Sequence, residues 1–167
     1  MLNYNLLDAD QLSAVDCLYE QDVTYLVATM GFGKSVVTLT AVNELLTDKI
    51  LERVLIVAPL KACNDVWKTE HNKWSHLQGL RVVHAIGTPK QRINAIESDA
   101  PVVVINIDNF VWFLEKYKTD SLAGFDGLVI DEISKFKDSG TKLVKKLRGQ
   151  SKHFKWVCGM TGTPVHE

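Results

Sequence analysis

Six short apolar runs rich in β-branched residues recur along the chain: Thr24–Thr29 (TYLVAT), Arg53–Ala58 (RVLIVA), Arg81–Ile86 (RVVHAI), Val102–Ile107 (VVVINI), Gly127–Asp131 (GLVID) and Lys155–Met160 (KWVCGM). Several are apolar at successive rather than alternate positions, the pattern of strands covered on both faces. Between them lie stretches with helical spacing. Ser35–Thr47 and Lys61–Trp74 are the long ones, and Pro89–Ile96, Asn109–Lys116 and Thr141–Leu147 are shorter. Strand alternating with helix predicts an α/β domain, a mostly parallel central sheet with helices on both faces. In such sheets ligands sit at the carboxyl ends of the strands, and the chemically distinctive residues of this chain fall there.

Composition changes this picture little. The chain has 167 residues, 46% hydrophobic and 23% charged, which fits one globular domain able to bury a core. A formal net charge of −1 leaves any nucleic-acid surface to local clusters. Cys17, Cys63 and Cys158 are odd in number and far apart, so neither a disulfide framework nor a paired-cysteine metal motif is present, and they read as single buried thiols of a reducing compartment. The opening MLNYNLLDADQ lacks a basic segment followed by an apolar run, and no apolar stretch reaches the roughly 20 residues that span a bilayer. The expectation is a soluble, cytoplasmic protein with no membrane partner.

After the first apolar run comes Ala28-Thr29-Met30-Gly31-Phe32-Gly33-Lys34-Ser35. It matches the phosphate-binding pattern G-x-x-x-x-G-K-[ST] at all but its first glycine, which is Ala28 here. Thr29, Met30, Gly31, Phe32 and Gly33 would turn backbone N–H groups toward an anion, with glycine removing the Cβ clash. The following helix start adds unpaired N–H groups and a positive dipole end. Lys34 would reach the β- and γ-phosphates of ATP, and the Ser35 hydroxyl would bind Mg²⁺. Read alone, the segment is also a glycine turn with an exposed lysine. The run GLVIDEISKFKD supplies what such a loop needs. Asp131 ends an apolar strand and would ligand Mg²⁺, and Glu132 is placed to orient and deprotonate an attacking water. Alone, Asp-Glu after a strand also reads as a helix cap. The two halves together predict a P-loop NTPase fold.

With these residues in view, the chain resembles the first RecA-like lobe of a superfamily-two helicase, and more narrowly the Swi/Snf group of DNA-translocating ATPases, in the style of phage and bacterial members. MGFGKS is close to the group's Met-Gly-Leu-Gly-Lys-Thr, and DEISKFKD to its Asp-Glu-Ala-His-Arg-Leu-Lys-Asn. The stretch from Val54 to Trp74 is similar to its motif Ia, with Pro59-Leu60, Trp67, Glu70 and Lys73-Trp74 in register. Met160 to Glu167 (MTGTPVHE) is similar to its motif III. Gln11, upstream of the P-loop, resembles the glutamine that reads adenine in this family. The resemblance runs from about Leu7 to the chain end. Departures are Asp10 where the group often has Tyr, Ala28-Thr29 in place of an acidic pair, and Ile133-Ser134 in place of Ala-His.

The resemblance implies that Thr161, Gly162 and Thr163 couple the ATP site to nucleic acid; TGTP is equally good turn chemistry. Pro59, Leu60 and Lys61 would hold a DNA phosphate through backbone N–H groups and the lysine. Asn106 and Asn109, beside Asp108, would supply a further phosphate contact as motif Ib does, or cap a helix. Trp67 and Trp74, seven residues apart, should share one helix face and pack in the core, base stacking being the other role open to them. The basic residues from Lys135 to Lys155 read as a solvated amphipathic helix or a DNA-backbone patch. His71 and His76 lack the cysteine or carboxylate partners of a zinc site. Residues 1–167 therefore read as one ATP-binding lobe, with double-stranded DNA and a second RecA-like lobe, in cis or in trans, as its expected partners. A lobe of a strand-separating DNA or RNA helicase, and a non-hydrolysing DNA- or protein-binding module, are the competing readings.

Overall fold

The computed structural model describes residues 1–133 and 153–162. The expected helix Thr141–Leu147, the basic residues of 135–152, and Thr163 and Pro164 lie outside the described residues. Every expected strand forms: β1 (Val23–Val27), β2 (Val54–Ala58), β3 (Val82–Ala85), β4 (Val102–Asn106), β5 (Gly127–Asp131) and β6 (Trp156–Thr161). They make one sheet in the order β1-β6-β5-β2-β4-β3, with every pairing parallel. The helices are α1 (Ala9–Glu20), α2 (Lys34–Thr47), α3 (Leu60–Ala62), α4 (Glu70–Lys73), α5 (Pro89–Ile96) and α6 (Ile107–Tyr117).

The pleat sorts the core into two layers. Val54, Ile56 and Ala58 of β2 face one cluster, with Val15 and Leu18 of α1, Val36, Leu39 and Val42 of α2, and Trp67 and Trp74. Leu55 and Val57 face the other, with Ile96 of α5 and Phe110, Phe113 and Leu114 of α6. Successive residues of one strand therefore meet different helices, which is why the central runs are apolar throughout. Each aliphatic side chain so buried contributes up to about 1.5–3 kcal/mol.

Three expectations need correction. At β1, a continuous apolar run does not mean two covered faces. It is an edge strand, and Val23, Tyr25 and Val27 on one face are more than half exposed. Helix α1 is additional to the expected elements, although Asp8 and Gln11 close a capping box at its start. The stretch Lys61–Trp74 is not one helix. After α3 the backbone makes a π-helical turn, Cys63–Trp67, then breaks at Thr69 (φ −119°) before α4. The Pro59 carbonyl accepts from Cys63 N–H at 3.0 Å and starts the first turn, but the wider π ring rotates the later residues around the axis. Trp67 and Trp74 are both buried, as expected, but from separate elements.

Candidate active site

The loop between β1 and α2 is built by its glycines. Gly31 and Gly33 sit at φ 90° and 86°, where a Cβ is strained. Gly33 is the residue before α2 and offers no side chain to cap it, so the first N–H groups of a 14-residue helix point outward with its positive dipole end. Lys34 folds back over the loop, its Nζ donating to the carbonyls of Ala28 (2.9 Å) and Thr29 (3.4 Å). Phe32 N–H donates to Thr29 O at 3.2 Å and closes the turn, leaving Met30 at its exposed tip. Gln11 binds the loop from α1. Its Nε2 donates to Phe32 O at 2.8 Å, while its Oε1 accepts from Asp8 N–H at 2.9 Å. One N–H and one carbonyl lone pair of that amide remain for another partner.

Asp131 ends β5, which is separated from β1 by β6 alone, so its carboxylate comes to the same end of the sheet as the loop. A cavity of about 360 Å³ there is lined by Gly31, Gly33, Lys34, Ser35, Trp67 and Asp131, among others. Burial pushes the Asp131 carboxyl above its usual range; the hydrogen bond from Trp67 opposes that shift, the neighbouring Glu132 adds to it, and Lys34 opposes it. Glu132 adopts φ 61°, a left-handed conformation that a glutamate enters only under constraint. Ser35 and Asp131 are hard oxygen donors of the kind that suits Mg²⁺. No cluster of three or more His, Cys, Asp or Glu residues that could hold a metal occurs among the described residues.

The end of β6 lies between the two halves. Thr161 is buried and accepts from Ala28 N–H at 3.3 Å through its backbone carbonyl. A Cβ on Gly162 would come 3.7 Å from Lys34 Nζ. Pro59, Leu60 and Lys61 follow β2, with Leu60 and Lys61 exposed. Asn106 and Asn109 are paired with each other: Asn109 Nδ2 donates to Asn106 Oδ1 at 2.7 Å. Helix α6 starts two residues before the expected Asn109, which lies in its first turn, and Asn106 stands at the cap position without a cap bond to the backbone. Cys63 and Cys158 are buried and their thiols are pushed up to about 12 by burial, whereas Cys17 is exposed, against expectation.

One contact is not legible in the sequence. The indole N–H of Trp67, 64 residues away in the chain, donates to Asp131 Oδ2 at 2.9 Å. A tryptophan in an apolar stretch signals burial, and nothing in the spacing shows where its N–H points.

A family model described as the SNF2-related domain matches residues 12–167. The protein p41 of Acyrthosiphon pisum secondary endosymbiont phage 1 is 34% identical over 146 residues, covering 82% of this chain and 31% of that protein. The chain thus spans about a third of that relative's length. Among solved structures, the Sulfolobus solfataricus SWI2/SNF2 ATPase core in complex with dsDNA superposes with a TM-score of 0.75 at 21% identity, covering 95% of this chain and 32% of that one. The UvsW helicase from bacteriophage T4 superposes with a TM-score of 0.66 at 18% identity, covering 94% and 52%. At these identities the superpositions speak for the fold.

Proposed function

The chain belongs to the SNF2-related domain family, and from that premise we propose that residues 1–167 form a single RecA-like lobe, the ATP-binding half of a Swi/Snf-like DNA-dependent ATPase that couples hydrolysis to movement on double-stranded DNA. The observation that carries this reading is the convergence of Lys34, Ser35 and Asp131 on one cavity, although they stand about 100 residues apart in the chain.

The roles rest on chemistry. Backbone N–H groups of Thr29, Met30, Gly31 and Gly33 and of the start of α2 bind phosphate oxygens, while the Phe32 N–H is held by Thr29 O and fixes the turn. Lys34 is the cation for the β- and γ-phosphates, and Gln11 meets adenine with the free half of its amide. Ser35 and Asp131 would hold Mg²⁺, which when bound would supply positive charge to neutralise the charge developing on the phosphates. Glu132 orients the attacking water and accepts its proton. Thr161, Gly162 and Thr163 couple this site to DNA, whose phosphates meet Pro59, Leu60, Lys61, Asn106 and Asn109. The phage origin of p41 supports a phage-encoded protein.

The test is ATP turnover by this chain with and without duplex DNA, beside Lys34→Ala. Slow turnover, abolished by Lys34→Ala and raised by duplex DNA, is expected. A second lobe added in trans should raise it further, since the arginine such a lobe contributes is worth about 10³–10⁵ in rate. Turnover indifferent to Lys34→Ala would refute the site. Strand displacement by the two lobes together would replace duplex tracking with strand separation.

A further inference from the structure

Resting on that reading of the site, we propose that Trp67 is a positioning residue for the carboxylate of Asp131, holding it in the orientation in which it binds magnesium. The contact is a direct 2.9 Å hydrogen bond from the indole Nε1–H to Oδ2. The Trp67 ring is 1% exposed, and the bond lies part-buried at the wall of the cavity that both residues line. Tryptophan is a donor only, so this bond has to be accepted by the carboxylate, and it fixes Oδ2.

The backbone is arranged for this contact. Trp67 is the last residue of the π-helical turn Cys63–Trp67, and such single turns occur frequently at functional sites. At the start of the turn Cys63 Sγ donates to Ala58 O at 3.5 Å, and Trp67 stands at its end. Trp74 makes a useful contrast. Its indole N–H donates to Glu70 Oε1 at 3.2 Å, four residues away on its own segment, and ties together nothing distant. The Trp67 bond joins the segment after β2 to the end of β5. Core packing accounts for the burial of the Trp67 ring but not for the N–H, which Phe lacks.

Trp67→Phe tests the proposal by magnesium titration of a fluorescent ATP analogue, with the same analogue in EDTA and Asp131→Asn as references. Partners that orient a metal ligand are worth about 10–100-fold in metal affinity. Trp67→Phe should therefore raise the magnesium midpoint about 10–100-fold and leave magnesium-free binding unchanged. Should Phe leave a void and weaken the fold, the benzothienylalanine analogue at position 67, with sulfur in place of N–H, keeps the ring and should give the same shift. An unaltered midpoint, or equal losses with and without magnesium, would reduce Trp67 to a packing residue. If the wild-type chain binds the analogue without any magnesium dependence, the reading of the whole site falls and the role of Trp67 with it. If the wild type responds, Asp131→Asn abolishes the response and Trp67→Phe leaves it intact, only the role of Trp67 falls.

Discussion

Gly33 precedes Lys34 in the chain and Gly162 lies beside its ammonium, and the two tolerate a side chain differently. Gly33 sits at φ 86°, and a Cβ there would lie 2.8 Å from Gln11 Nε2. Gly33→Ala should cost about 1–2 kcal/mol from the left-handed backbone, and it should weaken nucleotide binding by displacing Gln11 from Phe32 O. At Gly162 a Cβ would meet Lys34 Nζ and Ala28 O at 3.7 and 3.8 Å, ordinary contact. Gly162→Ala should stay within about 0.5 kcal/mol of wild type. Urea unfolding and nucleotide titration of the two variants side by side check both expectations. At this scale the sequence is most readable where one contiguous motif makes a local structure. Gly31 and Gly33 form the turn and Lys34 and Ser35 open the helix that their spacing implies, because a tight turn and the helix after it are decided within eight residues. The Asn106–Asn109 pairing is harder to read, since both amides are equally free to meet a cap or a phosphate.

Among the elements, the entry to β2 is where the sheet is tied to its surroundings. The Arg53 guanidinium donates to the carbonyls of Ala100 (3.1 Å), Ile96 (3.0 Å) and Ala123 (2.9 Å) and lies 4.1 Å from the centre of the Phe125 ring. It joins the end of α5, the approach to β4 and the turn Ser121–Gly124, where Leu122 and Ala123 have positive φ. Arg53→Ala should destabilise the fold by about 2–3 kcal/mol, because it removes charge-assisted bonds and leaves carbonyls unpaired. Arg53→Lys should recover less than half of that, since one ammonium cannot replace the planar fork. Urea midpoints of the three proteins decide it. The sequence does show the strands and α2, because β-branched runs and long helical spacing are strong local signals. The break in Lys61–Trp74 cannot be read from periodicity, because the apolar spacing of that stretch is compatible with an unbroken helix. In α1 the signal is present but short: Asp8 and Gln11 have capping-box spacing, followed by Leu12, Val15 and Leu18.

For the molecule as a whole, pH is the informative variable. His71, His76 and His84 have their pKa lowered chiefly by burial, and His84 also by Lys68 and His71, against a backbone hydrogen bond at Cys63 that raises it. His84 Nε2 is buried without a partner among the described residues. The folded-state pKa of His84 lies below its ordinary value of 6.5, so under that pH the unfolded chain takes up a proton the fold refuses. This contribution to stability is complete above about pH 6.5 and is lost as pH falls. Between pH 7 and 5 the unfolding free energy of the wild type should fall more steeply than that of His84→Gln. A set of urea curves across that range measures the difference, and parallel slopes would show that His84 titrates alike in both states. No helix among the described residues is long and apolar enough to cross a membrane.

By itself the sequence determined the α/β alternation, the glycine turn that leads into α2 and the acidic strand end, because each depends on residues close together in the chain. Only the tertiary structure decided the strand order that brings Asp131 within one strand of the loop, the single covered face of β1, and the aim of the Trp67 indole. These depend on which distant strands pair and on how one π turn rotates a side chain. Such choices are made by packing over the whole sheet, and local propensity does not encode them.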